Sequence, residues 1–391
     1  MEANLTAGEL AQLVARVFLP GPGERGLAVL VDLPDAAAPD TPAWRERREM
    51  AAHWVEALSR APDAALQAVL YLYRNVRRAN ADLPSTVYRH AGGPLPATAE
   101  ALEGLPSRPL VDVLRTTPMV LAPTEFSATA PLKILAPALG FRGATMPGFT
   151  PAMIPALRLD LTEVSRRVAV LAALLDRAVG ADIDFRVDGS RALTLRMDLR
   201  HRTAHVSGGL FPRPGQVGNL PSGEAYIVPY EGEVAGDPSG TCGDLPVQFE
   251  DGLVVYRVEG NRAVQAEGEG PAVEREADLL SREPAYCNLA ELGLGVLSDF
   301  GIQPLGEVLI DEKLGLHIAF GRSDHFGGRV GPSDFSCPGA VVHIDRVYVP
   351  RLQPRVAVPR LDLRMPDGGV LPLMREGAYV VDFGAGGRGV A

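Results

Sequence analysis

Near residue 183 the hydrophobic pattern of this chain changes period, and that change constrains its fold more than any other feature. Before it, stretches with apolar residues three and four apart alternate with short apolar runs, the mark of helices and strands in turn. After it, apolar and polar residues mostly alternate one by one, as in half-buried strands. A chain of 391 residues is also longer than a single ordinary core supports. We therefore expect an α/β amino-terminal domain with a mainly parallel sheet over residues 1–185. A carboxy-terminal, β-rich α+β domain is expected over 186–391.

Local signals fill in the first part. Thr6 and Glu9 form a capping box ahead of Leu10, Leu13, Val14, Val17 and Phe18. Gly26–Leu33 and Pro118–Ala122 read as buried strands, and Thr41–Arg60 and Ala64–Arg78 as helices. A further helix begins at Asp160 and Glu163, presents Val164, Val168, Leu171 and Leu175 along one stripe, and stops at Gly180. Residues 183–200 read as a hairpin turning at Asp188-Gly189. Beyond it, Ala225–Pro229, Pro246–Glu250, Leu253–Glu259, Glu307–Ile310, Leu316–Phe320, Ala340–Val349 and Val356–Val358 read as strands. Glu276–Ser281 and Leu289–Phe300 read as helical.

The net charge of −10 argues against nucleic acid or an anionic membrane as the main partner. Three cysteines, Cys242, Cys287 and Cys337, are odd in number and widely spaced, which fits a reducing compartment. The first residues carry no basic segment followed by an apolar run, and no apolar stretch is long enough to span a bilayer, so a cytoplasmic protein is expected. Gly384–Gly389 matches the spacing GxGxxG, but with no helix expected after it we do not expect dinucleotide binding.

The chemistry concentrates between Asn288 and Asp345. In the alternating stretch Val341–Val349, His343 and Asp345 are two apart and share a face. His317 points away from Leu316, Ile318 and Phe320. Imidazoles and carboxylates gathered from neighbouring strands are what a divalent transition metal requires. Only Lys133 and Lys313 are lysine among 38 basic residues, so a lysine four positions before His317 is either chance or the mark of a place that wants a compact ammonium. His201 and His205 have the spacing of paired ligands on a helix but follow a strand-like run, so they read as a polar turn. His53 and His90 stand alone, and a small buried thiol is the expectation for Cys287.

Five segments in order resemble the thermophilic metallo-aminopeptidases, the family of aminopeptidases T and S. They are Ala144–Gly148, Asn219–Pro229, Asn288–Gly293, Asp311–Gly321 and His343–Asp345. The resemblance covers roughly residues 110–350. It implies an α/β amino-terminal domain, a metal-bearing carboxy-terminal domain and a homodimer. It also implies a peptidase that removes amino-terminal residues from a peptide or small amide. Carried over by position, the metal ligands are Glu224, Glu291, His317, His343 and Asp345, holding two divalent ions (Zn, Co or Mn). Where the family has a catalytic tyrosine seven residues after the first histidine, this chain has Asp324, followed by His325. Glu312 or the Asp324–His325 pair is expected to move the proton to the leaving amine, and Lys313 to hold an oxyanion or a substrate carboxylate. Two alternatives remain open. His317, His343 and Asp345 alone would suit one Fe(II) in a ring-cleaving dioxygenase, or the chain is a non-catalytic relative.

Overall fold

The computed structural model describes residues 4–60 and 66–384. Residues 64 and 65, and all of the Gly384–Gly389 motif beyond its first residue, lie outside the described residues. The chain forms two compact units. One holds the described residues up to Ser165 together with Gly209–Ser222; the other holds Arg166–Gly208 and the chain from Gly223 onward. The division expected between 185 and 186 falls inside the strand Gly180–Val187 of the second unit.

The first unit is the α/β layer structure that alternating periods call for. Gly26–Leu33 pairs in parallel with Gln67–Arg74 on one side and Met119–Ala122 on the other. Arg142–Thr145 and then Val217–Asn219 extend the sheet, also in parallel. Thr86–His90 and Ser107–Pro109 close the opposite edge in antiparallel fashion. Because this sheet is covered on both faces, its central strand is buried along nearly its whole length. The first helix, Ala7–Phe18, carries the expected capping box, and buries Leu10, Leu13, Val14, Val17 and Phe18.

The helix expected over Ala64–Arg78 is instead the strand Gln67–Arg74. Its apolar residues fit a helical spacing, but Tyr71, Leu72 and Tyr73 are all buried, so no solvent face marks the period. Aromatic and β-branched content, not spacing, was the informative signal.

Asp32, fully buried, organises the carboxy-terminal end of the central strand. Its carboxylate accepts hydrogen bonds from the backbone N–H groups of Glu125 (2.8 Å) and Phe126 (3.0 Å) and from Trp44 Nε1 (3.1 Å). Asparagine has the same shape but turns one acceptor into a donor facing a donor. Asp32→Asn is therefore expected to destabilise the protein by about 1–3 kcal/mol. Urea unfolding followed by tryptophan fluorescence checks this, with an unchanged midpoint as the opposing result.

The second unit is built from two antiparallel sheets. The larger has eight strands and contains the hairpin Gly180–Val187 and Arg191–Asp198. Asp188 and Gly189 both have positive φ, 48° and 72°, and with Ser190 they make the three-residue connection between paired Val187 and Arg191. The helix Pro271–Arg282 covers the expected Glu276–Ser281. The smaller sheet has five strands, in the order His343–Val347, Leu316–Gly321, Leu289–Gly295, Glu224–Ile227, His205–Ser207.

Two expectations are corrected here. Leu289–Phe300 is not a helix: it is the central strand Leu289–Gly295 followed by a 3-10 turn, Leu297–Phe300. Every residue of that strand is buried, so it lacks the polar–apolar alternation of a half-buried strand. Glu307–Ile310 is not a strand; Val308–Asp311 forms one helical turn, fastened by the Asp311 carboxylate accepting from the N–H groups of Leu305 and Gly306.

Candidate metal centre

All five expected ligands stand on one face of the five-stranded sheet, and the strand registers explain how. Across one row of the sheet lie His205, Tyr226, Gly293, His317 and Val347. The next row holds Glu291, Ala319 and Asp345. Glu224 pairs with Gly295, and His343 with Gly321. Side chains of such paired residues project to the same side. The floor beneath them is made of Gly293, Gly295, Ala319 and Gly321, so the space above it is left to the five polar groups.

A β-bulge aims Glu291. Leu289 pairs with Phe320, yet Glu291 pairs with Ala319, so Ala290 is an extra residue on its strand. Without it, Glu291 would share the face of Leu289 and Phe320, which is packed into apolar core. With it, the carboxylate joins His317 and Asp345.

The ligand atoms fall into two groups. Glu224, Glu291 and His317 form one, and Glu291, His343 and Asp345 the other; within each, one ligand atom per residue lies within 4.8 Å of the others. Glu291 belongs to both. Its Oε1 is 3.0 Å from His317 Nε2 and its Oε2 is 3.3 Å from His343 Nε2. Glu224 Oε2 is 3.6 Å from His317 Nε2, and Asp345 Oδ1 is 3.5 Å from His343 Nε2.

The residues present fit divalent cations on three counts. His317 Nδ1 donates to the Gly315 carbonyl (3.3 Å) and His343 Nδ1 to the Arg322 carbonyl (2.8 Å). Each ring thereby presents Nε2 to the carboxylates, the outer-shell arrangement that orients metal-binding histidines. Glu224 Oε2 is buried with no hydrogen-bond partner, an orphan acceptor that a cation would satisfy. Finally, negative charge is in surplus. Burial alone would lower His317, but the hydrogen bond and charge of Glu291, with Asp345 and Glu224, push it up to about 9. His343 is likewise held well above its ordinary value, against its burial, by Asp345 and Glu291. Burial would raise Asp345 and Glu291, yet the two imidazoles hold both below the usual carboxylate range. Burial prevails at Glu224 and Glu312, which are raised.

The four expected catalytic residues are placed differently from one another. Lys313 is fully buried and its Nζ lies 2.6 Å from Glu224 Oε1, with Glu312 as its second partner. Such a lysine is occupied as the charge partner of Glu224. Glu312 keeps 15% of its side chain exposed, enough to meet solvent beside the cluster. Asp324 is engaged by Arg322 Nε at 2.6 Å, which holds it in the ionised form against burial. The His325 ring is 5.5 Å from that of His343, and burial with the neighbouring charge of His343 pushes it down to about 4.

Two nearby residues were missed by sequence reasoning. His205 is on the edge strand His205–Ser207, not in a surface turn: its ring stacks on Tyr226 (5.1 Å), and its Nε2 donates to the Phe326 carbonyl (2.8 Å). Tyr226 follows Glu224 by two on the same strand, a period-two signal that was available in the sequence. His201 is in a turn beside Asp237, as expected. Cys287 is a buried thiol donating to the Leu280 carbonyl.

Fold and site together define a two-domain α/β protein with a candidate carboxylate–imidazole metal centre on its second unit. No family model matches the chain, and no curated protein matches its sequence. Solved structures do match. The 2,5-dihydroxypyridine dioxygenase from Pseudomonas putida KT2440 is similar with a TM-score of 0.59 and 17% identity, over 97% of this chain and 99% of that one. Wild-type AmpT, an aminopeptidase T, from Thermus thermophilus is similar with a TM-score of 0.55 and 16% identity, over 96% and 99%. These likenesses show a shared fold over essentially the whole chain. Among the described residues, no helix is long and apolar enough to cross a membrane.

Proposed function

We propose that the chain is a metal-dependent hydrolase of the aminopeptidase kind, with two divalent cations sharing Glu291. The observation that carries this is the pair of three-residue groups with one carboxylate in common. Glu291, with one oxygen facing His317 and the other facing His343, would contribute to holding both cations. Charge supports cation binding. With the two imidazoles neutral, as ligands must be, the carboxylates of Glu224, Glu291 and Asp345 would face Lys313 as the cationic side chain paired with Glu224, a negative surplus that divalent cations would offset.

When bound, such a pair of cations supplies a polarised carbonyl oxygen and a water made acidic near neutral pH. The chain's own residues do the rest. Lys313 fixes Glu224 through Oε1 and turns Oε2 toward His317. Glu312, at the solvent edge of the cluster, accepts the proton released by the attacking water and returns it to the leaving amine. Asp324, held by Arg322, is the weaker candidate for that step.

The second reading is a mononuclear Fe(II) dioxygenase, favoured by the fold shared with the dioxygenase. It requires His317, His343 and Asp345 around one ion, whereas the two imidazoles fall in different groups. This favours the hydrolase.

Metal titration tests the choice. The stripped protein, dialysed against Zn, Co or Mn and subjected to elemental analysis, is expected to hold two ions per chain and to cleave aminoacyl p-nitroanilides. Chelation is expected to abolish both. A single, oxygen-sensitive Fe(II) with no amide cleavage would overturn the proposal.

A further inference from the structure

Among the residues on the ligand face, Tyr226 is placed to act as an uncharged hydrogen-bond donor. It stands on the ligand face, two residues from Glu224 and in register with Gly293. Gly293 has no side chain, and the His317 imidazole fills the space above it: a Cβ built there would lie 1.9 Å from Nε2. Tyr226 flanks Gly293 on the side opposite the His317 strand, and burial together with the charges of Glu291, Glu224 and Glu312 holds its hydroxyl well above the ordinary phenol range.

Its ring is held on two sides. His205 stacks on it at 5.1 Å, and Phe326 meets it edge-on at 4.8 Å. His205 Nε2 in turn fastens the Phe326 carbonyl at 2.8 Å, so the three rings support one another. Within the described residues the Tyr226 hydroxyl makes no hydrogen bond to the protein. Other donors nearby are engaged: Lys313 by Glu224 and Glu312, and Arg322 by Asp324. A braced ring bearing an unengaged hydroxyl beside the ligands is the arrangement of a preorganised donor.

We propose that Tyr226 donates a hydrogen bond to the oxyanion that forms when water adds to the scissile carbonyl. This rests on the hydrolase reading. Water oxygen bonds to the carbonyl carbon, and the π pair moves onto the carbonyl oxygen, where the phenol stabilises it. When the C–N bond breaks, that pair reforms the carbonyl and the amine leaves with a proton from Glu312. Tyr226 keeps its own proton throughout.

The test compares wild type with Tyr226→Phe, which retains the ring and its packing. Both are loaded with zinc and titrated with the phosphinic analogue of alanyl-alanine, whose tetrahedral oxygens imitate the adduct. Zinc content and urea midpoint are expected to be unchanged. Analogue affinity is expected to fall about tenfold or more, and kcat on alanyl p-nitroanilide about 100-fold, with KM nearly constant. Equal affinity and equal kcat in the two proteins would overturn this role and leave the hydrolase reading standing. A wild type that neither binds the phosphinate nor cleaves the anilide would overturn both.

Discussion

Glu291→Ala is expected to abolish binding of both cations. Every other ligand serves one three-residue group, but Glu291 serves both. Its loss reduces each group to two residues, one imidazole and one carboxylate, which is too few to hold a divalent ion against water. Losing a mere supporting partner of a metal ligand already costs about 10–100-fold in affinity, so losing a ligand shared by both ions should exceed that at each site. The contrast with single-group ligands makes the experiment decisive. Glu224→Ala and Asp345→Ala should each leave one ion, and Glu291→Ala none, by elemental analysis after dialysis. The substitution lies in a buried central strand, so circular dichroism of the stripped protein should accompany it. Two ions retained in folded Glu291→Ala would refute the shared-carboxylate geometry.

How much of this centre was legible in the sequence follows from what each residue's neighbours reveal. His343 and Asp345 sit in a stretch that alternates, so their common face could be read directly. His317 stood out as a lone polar residue among Leu316, Ile318 and Phe320. Glu291 could not be placed on local grounds: its strand is buried on both sides, and its orientation depends on one extra residue, Ala290, that only the pairing exposes. Tyr226 lay two residues from Glu224 inside the expected strand Ala225–Pro229, with no role assigned to it. Lys313 was noticed for its rarity, yet the expectation that it would meet substrate did not anticipate its burial between Glu224 and Glu312.

The fold divides similarly. The parallel sheet of the first unit followed from alternating periods, and the helix Ala7–Phe18 from its capping box. Gln67–Arg74 and Leu289–Gly295 were mistaken for helices for one reason: a strand without a solvent face shows no period. The return of Gly209–Ser222 to the first unit has no local signal at all. It is fixed by the parallel pairing of Val217–Asn219 with Arg142–Thr145, a contact distant in sequence.

Gly293→Ala is expected to remove one ion and spare the other. Glycine inside a strand costs backbone entropy and contributes no packing, so its presence usually marks a close approach. Here the approach is the His317 ring. An added methyl would lie 1.9 Å from Nε2, 2.1 Å from Cε1 and 2.5 Å from Cδ2, so the imidazole must leave its position. Rotating His317 carries Nε2 away from Glu291 and Glu224 and breaks that group. His343 and Asp345 reach Glu291 from the far side, and neither contacts Gly293. Overpacking a site of this kind costs about 1–3 kcal/mol, so the variant should fold with a lowered urea midpoint. On the proposed two-cation reading it should bind one ion per chain in place of the two expected of wild type, and lose the expected hydrolytic activity. Retention of both ions would mean that His317 is not a ligand. Loss of both would mean that the two groups are occupied only together, with Glu291 unable to hold its orientation once the first ion is gone.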